Sequence, residues 1–331
     1  MSLPVASLRE LCGTPAKESW ARILASIWET CSPNLPSAGA ANEITSRDRR
    51  VADLDLFLSA AGWDLWSEFE GNTEHTSNAL VSWWNSQSSG RAVLILDALS
   101  MREAPWILQG AATRGYSVRS ARVTTAELPA DTNSFARALG LPQRSSLENN
   151  QAGLAHKLAG ARTDSVQIAF KDCVALIGAE PRWLLWHHWP DVRLHALSEA
   201  GQGLNVFTNE VQAQLNGDDF WSLVERLTTG RNLVITSDHG YGASGLFSDV
   251  HDDQADYLKQ VFKSGRFVPG TNSGCPWVPP VSLTITSCHG TNQYALGRRK
   301  WKSPGGYPTL VHGGLSVLEM TVPFIELGRR G

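Results

Sequence analysis

Hydrophobic residues in the first part of the chain recur with a helical period. In "TPAKESWARILASIWETC", Thr14 is a suitable N-cap and Pro15 suits the first helical position. The apolar residues that follow fall on one stripe of a helix, namely Trp20, Ile23, Leu24, Ile27, Trp28 and Cys31. "ADLDLFLSAAG" repeats the pattern and ends at Gly62, and "SNALVSWWN" predicts a third, short helix. Residues 1–88 are therefore predicted to form a helical N-terminal region.

The pattern changes after residue 88. Three apolar runs, "AVLILD", "RWLLWHH" and "NLVIT", are typical of strands buried on both faces of a sheet. They alternate with helical segments, of which "DDFWSLVERLTTG" is the clearest, and "SVLEM" and "TVPFIEL" follow as a helix and a strand. The sequence predicts an α/β fold over residues 89–331, a three-layer α/β/α sandwich with a mostly parallel central sheet.

One segment of this second region differs from the rest. Residues 241–310 are rich in Gly, Pro and Ser and have little periodicity. They are predicted to form a loop-rich excursion over the face of the sheet that carries the candidate site.

Composition narrows the class of protein. The chain has 331 residues with 42% hydrophobic and 18% charged side chains, which is typical of a globular protein with a sizeable core. A net charge of −3 argues against a general electrostatic grip on nucleic acid. Five scattered cysteines without a C-x-x-C spacing favour neither a disulfide framework nor a thiolate zinc knuckle. With no leader-like or membrane-spanning segment in the sequence, we expect a cytoplasmic protein without a membrane partner.

Acidic and imidazole side chains follow the predicted strands. Asp97 ends the first run, and Asp238 with His239 follows a later one. Three further residues of these types lie after β-like stretches: Asp191, His195 and His312. Because ligands bind at the carboxyl ends of parallel strands, these six side chains could meet at one edge of the sheet. Carboxylate oxygen and imidazole nitrogen are suitable ligands for Zn²⁺ or a similar ion.

Each of these residues also has a structural interpretation. An aspartate after a strand is commonly a turn former or a helix cap, and a single histidine beside glycine is commonly structural. Thr132, at the start of the predicted helix "TNSFARALG", would serve simply as an N-cap, although Asp131 beside it is the more conservative candidate. The joint pattern is harder to explain in this way than any single residue.

The ordered set of residues resembles the two-metal site of the alkaline phosphatase superfamily. Within that superfamily, "LVITSDHG" and "HGGLSVLEMTVPFIEL" are similar to the PglZ domain, as are "LILDALSMRE" and "LPADTNSFARALG". The resemblance covers about residues 91–331 and implies two ions. One would be held by Asp97, Asp238 and His239 with Thr132 as neighbour, and the other by the remaining three, Asp191, His195 and His312.

The resemblance also implies an activity. We expect a metal-dependent phosphoesterase in which Thr132 attacks phosphorus and forms a phosphothreonine intermediate, with two divalent ions, Zn²⁺ before Mn²⁺ or Mg²⁺. The PglZ domain points to a phosphodiesterase that acts on cyclic or short linear oligonucleotides in bacterial signalling or phage defence. Protein partners of a defence system would then contact the helical region 1–88.

Positive side chains near the site would bind the remaining phosphate oxygens. The candidates are Arg137, one turn beyond Thr132, and Arg298 and Arg299 in "GRRKW", although a basic run in a loop is commonly solvated surface. His289 in "SCHGTN" is a further candidate, either beside the substrate or in competition with His312 as a ligand.

Two other functions stay open at this point. One is a phosphomonoesterase or phosphotransferase that acts on a small metabolite. The other is a non-catalytic, metal-stabilised scaffold that binds a partner through its tryptophan-rich N-terminal helices. A complete ligand set favours an enzyme, because a degenerate scaffold is expected to lose metal positions.

Overall fold

The structure, a computed structural model, describes residue 11 and residues 13–86, 90–153, 155–198, 203–270 and 274–328. Its strands are β1 Arg91–Leu96, β2 Val118–Thr125, β3 Arg162–Val166, β4 Arg182–His187, β5 Asn232–Thr236, β6 Gly242–Ala243, β7 Ser248–Asp249, β8 Phe267–Pro269, β9 Ser282–Ser287, β10 Gly290–Ala295, β11 Arg299–Lys300, β12 Leu310–Val311 and β13 Thr321–Leu327.

The α-helices in the described residues are α1 Ala16–Cys31, α2 Ala40–Ala60, α3 Phe69–Asn72, α4 Thr76–Asn85, α5 Ala104–Thr113, α6 Thr132–Ala138, α7 Phe170–Cys173, α8 Asp191–Ala196, α9 Leu204–Asn216, α10 Asp218–Thr228, α11 Asp252–Phe262 and α12 Val317–Met320. Short 3-10 helices span Trp63–Glu68, Arg144–Asn150, Val174–Leu176 and Ser244–Leu246.

A six-stranded sheet with the strand order β2-β13-β5-β1-β4-β3 forms the centre of the fold. Neighbouring strands are parallel from β5 through β1 and β4 to β3, whereas β13 runs antiparallel to both β5 and β2. The prediction of a mostly parallel sheet is therefore confirmed. The strands β1 and β5 are buried at every position, as their continuous apolar runs predicted.

Helices cover both faces of this sheet, so the three-layer prediction is also confirmed. Alternate residues of β1 point to opposite faces. Leu94 and Leu96 belong to a core with residues of α1, α2, α5, α9 and α10. Val93 and Ile95 belong to a second core with residues of α4 and α6. The helices of the N-terminal region thus pack into the same two cores as the sheet.

The segment 241–310 contains more regular structure than its weak periodicity predicted. It holds α11 and a three-stranded antiparallel sheet in the order β8-β10-β9. It also has a small core of its own, formed by Leu258, Phe262, Val281, Ala295 and Trp301. The pairing of β6 with β12 joins the two ends of the segment. Among the described residues, no helix combines the length and the apolar character that a membrane crossing requires.

A buried network of charges connects helix α2 to the rest of the chain. Asp48 pairs with both Arg102 and Arg298, and Asp55 accepts a hydrogen bond from Arg298 at 2.5 Å. The second oxygen of Asp55 accepts the backbone N–H of Val317 at 2.7 Å. Burial alone would raise the pKa of Asp48, but the two guanidinium groups bring it below its ordinary value. The network therefore ties α2 to the segment 241–310 and to α12.

We expect Arg298→Ala to lower the free energy of unfolding by about 3–5 kcal/mol, because it leaves the buried Asp55 without its cation and removes one of the two cations paired with Asp48. Urea unfolding followed by circular dichroism measures this loss. Lys302→Ala, an exposed change four residues away, is the matched control and should leave the midpoint unchanged. An Arg298→Ala protein as stable as the control would show that the ion pairs do not hold α2.

Candidate metal centre

Three strands of the central sheet end at the same edge, and an aspartate follows each of them. Asp97 comes directly after β1, Asp238 lies two residues after β5, and Asp191 begins α8 after β4. Two backbone hydrogen bonds fix the positions of Asp97 and Asp191 relative to the end of β4. The Asp97 N–H donates to the carbonyl of His187 at 3.0 Å, and the Asp191 N–H donates to the carbonyl of Asp97 at 2.9 Å. The parallel register therefore gathers the three carboxyl groups that the sequence separates.

The first donor group consists of Asp97, Asp238 and His239, all buried. One ligand atom of each lies within 4.8 Å of the other two. The Nδ1 atom of His239 is 2.9 Å from the carbonyl of Gly240, which can only accept, so Nδ1 carries the proton. Its Nε2 atom lies 3.6 Å from Asp238 Oδ2 and 3.7 Å from Asp97 Oδ1 and has no hydrogen-bond partner. Two buried carboxylates around a free imidazole lone pair fit a divalent cation.

Asp191, His195 and His312 form the second donor group, again with ligand atoms within 4.8 Å of one another. Asp191 and His195 share one turn of α8, and their Oδ2 and Nε2 atoms are 3.4 Å apart. The Nδ1 atom of His312 is 3.3 Å from the carbonyl of Ala130, so its Nε2 lone pair is free. Asp191 Oδ1 is buried without a hydrogen-bond partner. This set also fits a divalent cation.

The two donor groups are neighbours. The rings of His239 and His312 stack with centroids 4.3 Å apart, and the rings of His195 and His312 are 5.5 Å apart. The antiparallel pairing of Val311 with Gly242 brings His312 beside the end of β5. A close approach of the chain also requires glycine at position 240, since a Cβ there would lie 2.2 Å from the carbonyl oxygen of Leu318.

Thr132 lies beside the first donor group at the first position of α6. Its Oγ1 atom is 2.9 Å from Asp238 Oδ2 and 3.3 Å from Asp97 Oδ1. The helix cap is Asp131, whose side chain accepts the N–H of Ser134 at 2.7 Å. The Thr132 hydroxyl is therefore not used as a cap, and it points to the two carboxylates.

The electrostatics of the site reflect its concentrated negative charge. Burial, with the charges of Asp238 and Asp191, raises the pKa of Asp97 well above its ordinary value. Burial likewise would raise the pKa of Asp191, but the hydrogen bond from His195 and the nearby rings lower it to about 2. Burial and the neighbouring His239 lower the pKa of His312 to about 4. A neutral imidazole beside carboxylates is the form that binds a metal ion.

Among the described residues, the four substrate-binding candidates are not together. Arg137 and His289 line one cavity of about 610 Å³ that also contacts Asp131 and Asn133, the neighbours of Thr132. Arg298 is buried in its ion pairs with α2. Arg299 donates to the backbone carbonyl of Leu296. The "GRRKW" run is thus largely internal rather than a solvated loop, because acidic residues distant in sequence pack against it.

Two contacts of Asp97 have no signal in the sequence. The guanidinium of Arg144 pairs with Asp97 Oδ2, and the indole N–H of Trp186 donates to the same oxygen at 3.2 Å. Trp186 lies in β4 beside Ile95 of β1, so its position follows from strand register. Arg144 starts a 3-10 helix twelve residues after Thr132 in a polar stretch that resembles an ordinary loop. Only the tertiary structure brings it to the site.

Comparisons with known proteins do not by themselves assign a function to this site. No protein-family model matches the chain, and no curated protein matches it. Solved structures with a related arrangement include murine ectonucleotide pyrophosphatase / phosphodiesterase 5 in an inactive form in complex with AMP, which has 13% identity, covers 73% of this chain and 90% of its own, and has a TM-score of 0.43.

Two further solved structures are comparable. Phosphonoacetate hydrolase from Sinorhizobium meliloti 1021 in complex with phosphonoformate has 12% identity, covers 72% of this chain and 89% of its own, and has a TM-score of 0.43. The human ectonucleotide pyrophosphatase / phosphodiesterase 5 has 12% identity, covers 72% of this chain and 88% of its own, and has a TM-score of 0.44. At this level of similarity, the function has to be argued from the site itself.

Proposed function

We propose that the chain is a two-metal-dependent phosphoesterase. The observation that carries the proposal is the position of Thr132, whose hydroxyl lies against Asp97 and Asp238 where two cation-compatible donor groups adjoin. Asp97, Asp238 and His239 would hold one ion, and Asp191, His195 and His312 the other. Three imidazoles among six ligands favour Zn²⁺ over Mn²⁺ or Mg²⁺. Bound ions would lower the pKa of the Thr132 hydroxyl and neutralise charge on the phosphate oxygens.

Thr132 is the proposed nucleophile. Its hydroxyl proton points to Asp238 Oδ2, which can accept it as the oxygen attacks phosphorus. As this bond forms, the P–O bond to the leaving alcohol breaks, and the alcohol takes up a proton from solvent. The product is a phosphothreonine that still carries the second ester group of a diester substrate, and water then displaces Thr132 and releases a phosphate monoester. Asp97 and Asp238 are buried, which strengthens the electrostatic interactions that these carboxylates make with Thr132 and would make with bound ions.

The cavity beside Thr132 favours a diester over a monoester. With a volume of about 610 Å³, it has room for a second substituent on phosphorus, such as a nucleoside. Arg137 lines the cavity, and its guanidinium would bind a phosphate oxygen. We therefore propose a phosphodiesterase of cyclic or short oligonucleotides, with a role in bacterial phage defence or signalling as the PglZ resemblance implies.

Hydrolysis of bis-p-nitrophenyl phosphate and of p-nitrophenyl phosphate, each with Zn²⁺ or Mn²⁺, tests this function. We expect the diester to be hydrolysed with the higher kcat/KM, and a chelator to abolish both activities. A panel of cyclic dinucleotides, linear oligonucleotides and mononucleotides then identifies the substrate class. Faster hydrolysis of the monoester would favour a phosphomonoesterase, and no hydrolysis of any ester would favour a metal-stabilised scaffold.

A further inference from the structure

A third group of metal-ligand residues lies outside the centre described above. Glu127, Cys288 and His289 have ligand atoms within 4.8 Å of one another. Glu127 is buried five residues before Thr132, whereas Cys288 and His289 form the tip of the β9–β10 hairpin. The Nε2 atom of His289 lies 3.3 Å from Glu127 Oε2. The other Glu127 oxygen accepts the hydroxyl of Ser77, at the start of α4, at 2.5 Å.

Two more side chains of the N-terminal region, His75 and Glu70, lie close enough to this group to interact electrostatically with Glu127. His75 is 5% exposed, and its Nδ1 atom lies 2.9 Å from the carbonyl of Ala126, so its Nε2 atom has a free lone pair. That Nε2 atom is buried without a hydrogen-bond partner, 3.9 Å from Glu70 Oε2. Glu70 Oε1 is also buried and unpartnered. Buried polar groups are normally hydrogen-bonded, so these free atoms indicate a ligand.

We propose that Glu127, Cys288 and His289 bind a Zn²⁺ ion, with His75 or a water molecule in the fourth position. One thiolate, one or two imidazoles and a carboxylate form a ligand set that zinc accepts in tetrahedral geometry. Binding releases the thiol proton of Cys288 to solvent, so the site exchanges one proton for the ion.

The alternative role for these residues is a Cys-His-Glu nucleophile, and the geometry argues against it. In the described part of the chain, no hydrogen bond joins the Cys288 thiol to the imidazole of His289, which is paired with Glu127 instead. Partial burial and the carboxylates of Glu70 and Glu127 also raise the pKa of the Cys288 thiol. A protonated thiol without a base is a weak nucleophile.

The proposed ion would be structural. It would join three parts of the fold: the hairpin tip, the segment that leads to Thr132, and the N-terminal residues 70–77. A hydrogen bond from the Ser287 hydroxyl to the carbonyl of Leu128, 2.7 Å long, already connects the first two. An ion at this point would hold the hairpin over the cavity beside Thr132, which His289 also lines.

Cobalt substitution tests the site separately from the two-metal centre, whose proposed ligands include no cysteine. Titration of the metal-free protein with Co²⁺ should produce a near-ultraviolet thiolate-to-cobalt charge-transfer band. We expect the band in the wild type and in Asp238→Ala, its loss in Cys288→Ser, and its retention in Cys275→Ser, the matched cysteine control.

A wild type without the band, or a band that persists in Cys288→Ser, would overturn the zinc proposal. Neither result depends on whether the protein hydrolyses phosphate esters. Because Cys288 is exposed, its replacement by serine should not prevent folding. A further measurement, zinc content after dialysis, should show one ion fewer per chain in Cys288→Ser than in Cys275→Ser.

Discussion

Thr132→Ala should lower kcat for bis-p-nitrophenyl phosphate by at least about 10³-fold, the scale expected when a covalent nucleophile is removed. The hydroxyl of Thr132 contacts Asp97 and Asp238, and the helix is capped by Asp131 instead, so its loss should leave the fold and the ligands in place. In the wild type, acid quenching during turnover should trap the p-nitrophenyl phosphoryl group on Thr132, detected by peptide mass spectrometry. The variant should show no such adduct.

Two controls accompany this experiment. Thr132→Ser keeps a hydroxyl at the same place and should retain activity within about tenfold. Thr113→Ala removes an exposed threonine hydroxyl and should have no effect. If Thr132→Ala hydrolyses the diester as fast as the wild type while metal content is equal, the phosphothreonine mechanism is wrong even though the centre binds metal.

Metal content should fall when either donor group is broken. Asp238→Ala removes a carboxylate of the first group, and His312→Ala removes an imidazole of the second. Measured in a Cys288→Ser background, so that the hairpin site does not contribute, the parent should hold two ions per chain by elemental analysis. Each variant should lose at least one ion and most of its phosphodiesterase activity, because both ions act on the same phosphate.

His251→Ala, which removes an exposed imidazole that belongs to neither donor group, serves as the control for histidine loss and should keep both ions. Retention of two ions by both Asp238→Ala and His312→Ala would remove these residues from the centre. Circular dichroism spectra of all variants are needed beside the metal data, since Asp238 is buried and also accepts the backbone N–H of Ala98 at 3.0 Å.

Much of the fold could be predicted from the sequence because its central strands are buried on both faces. Their continuous apolar runs identify β1, β4 and β5, and the residues after them identify the edge where the aspartates meet. Outside the segment 241–310, the missed elements include the strand β3 and the helix α9. The strand β3, "RTDSV", is at the sheet edge and mostly polar, so its pattern resembles a loop.

Contacts between residues distant in sequence could not be predicted. Arg144 reaches Asp97 through a 3-10 helix whose sequence is polar and aperiodic. Arg298 belongs to a basic run that is typical of solvated surface, yet Asp48 and Asp55 of a distant helix neutralise it. Glu127 and His289 are 162 positions apart, and a single sequence contains nothing that pairs them.

The ribbon of β6 and β12 has a consequence for how this protein could diversify. Gly242 and Val311 are paired, so the stretch between them leaves and rejoins the body at a single point. His239 lies just before that junction and His312 just after it. Evolution could therefore lengthen, shorten or exchange the residues between Gly242 and Val311. Such a change would alter which ester the protein prefers, while the proposed metal ligands and nucleophile are inherited unchanged.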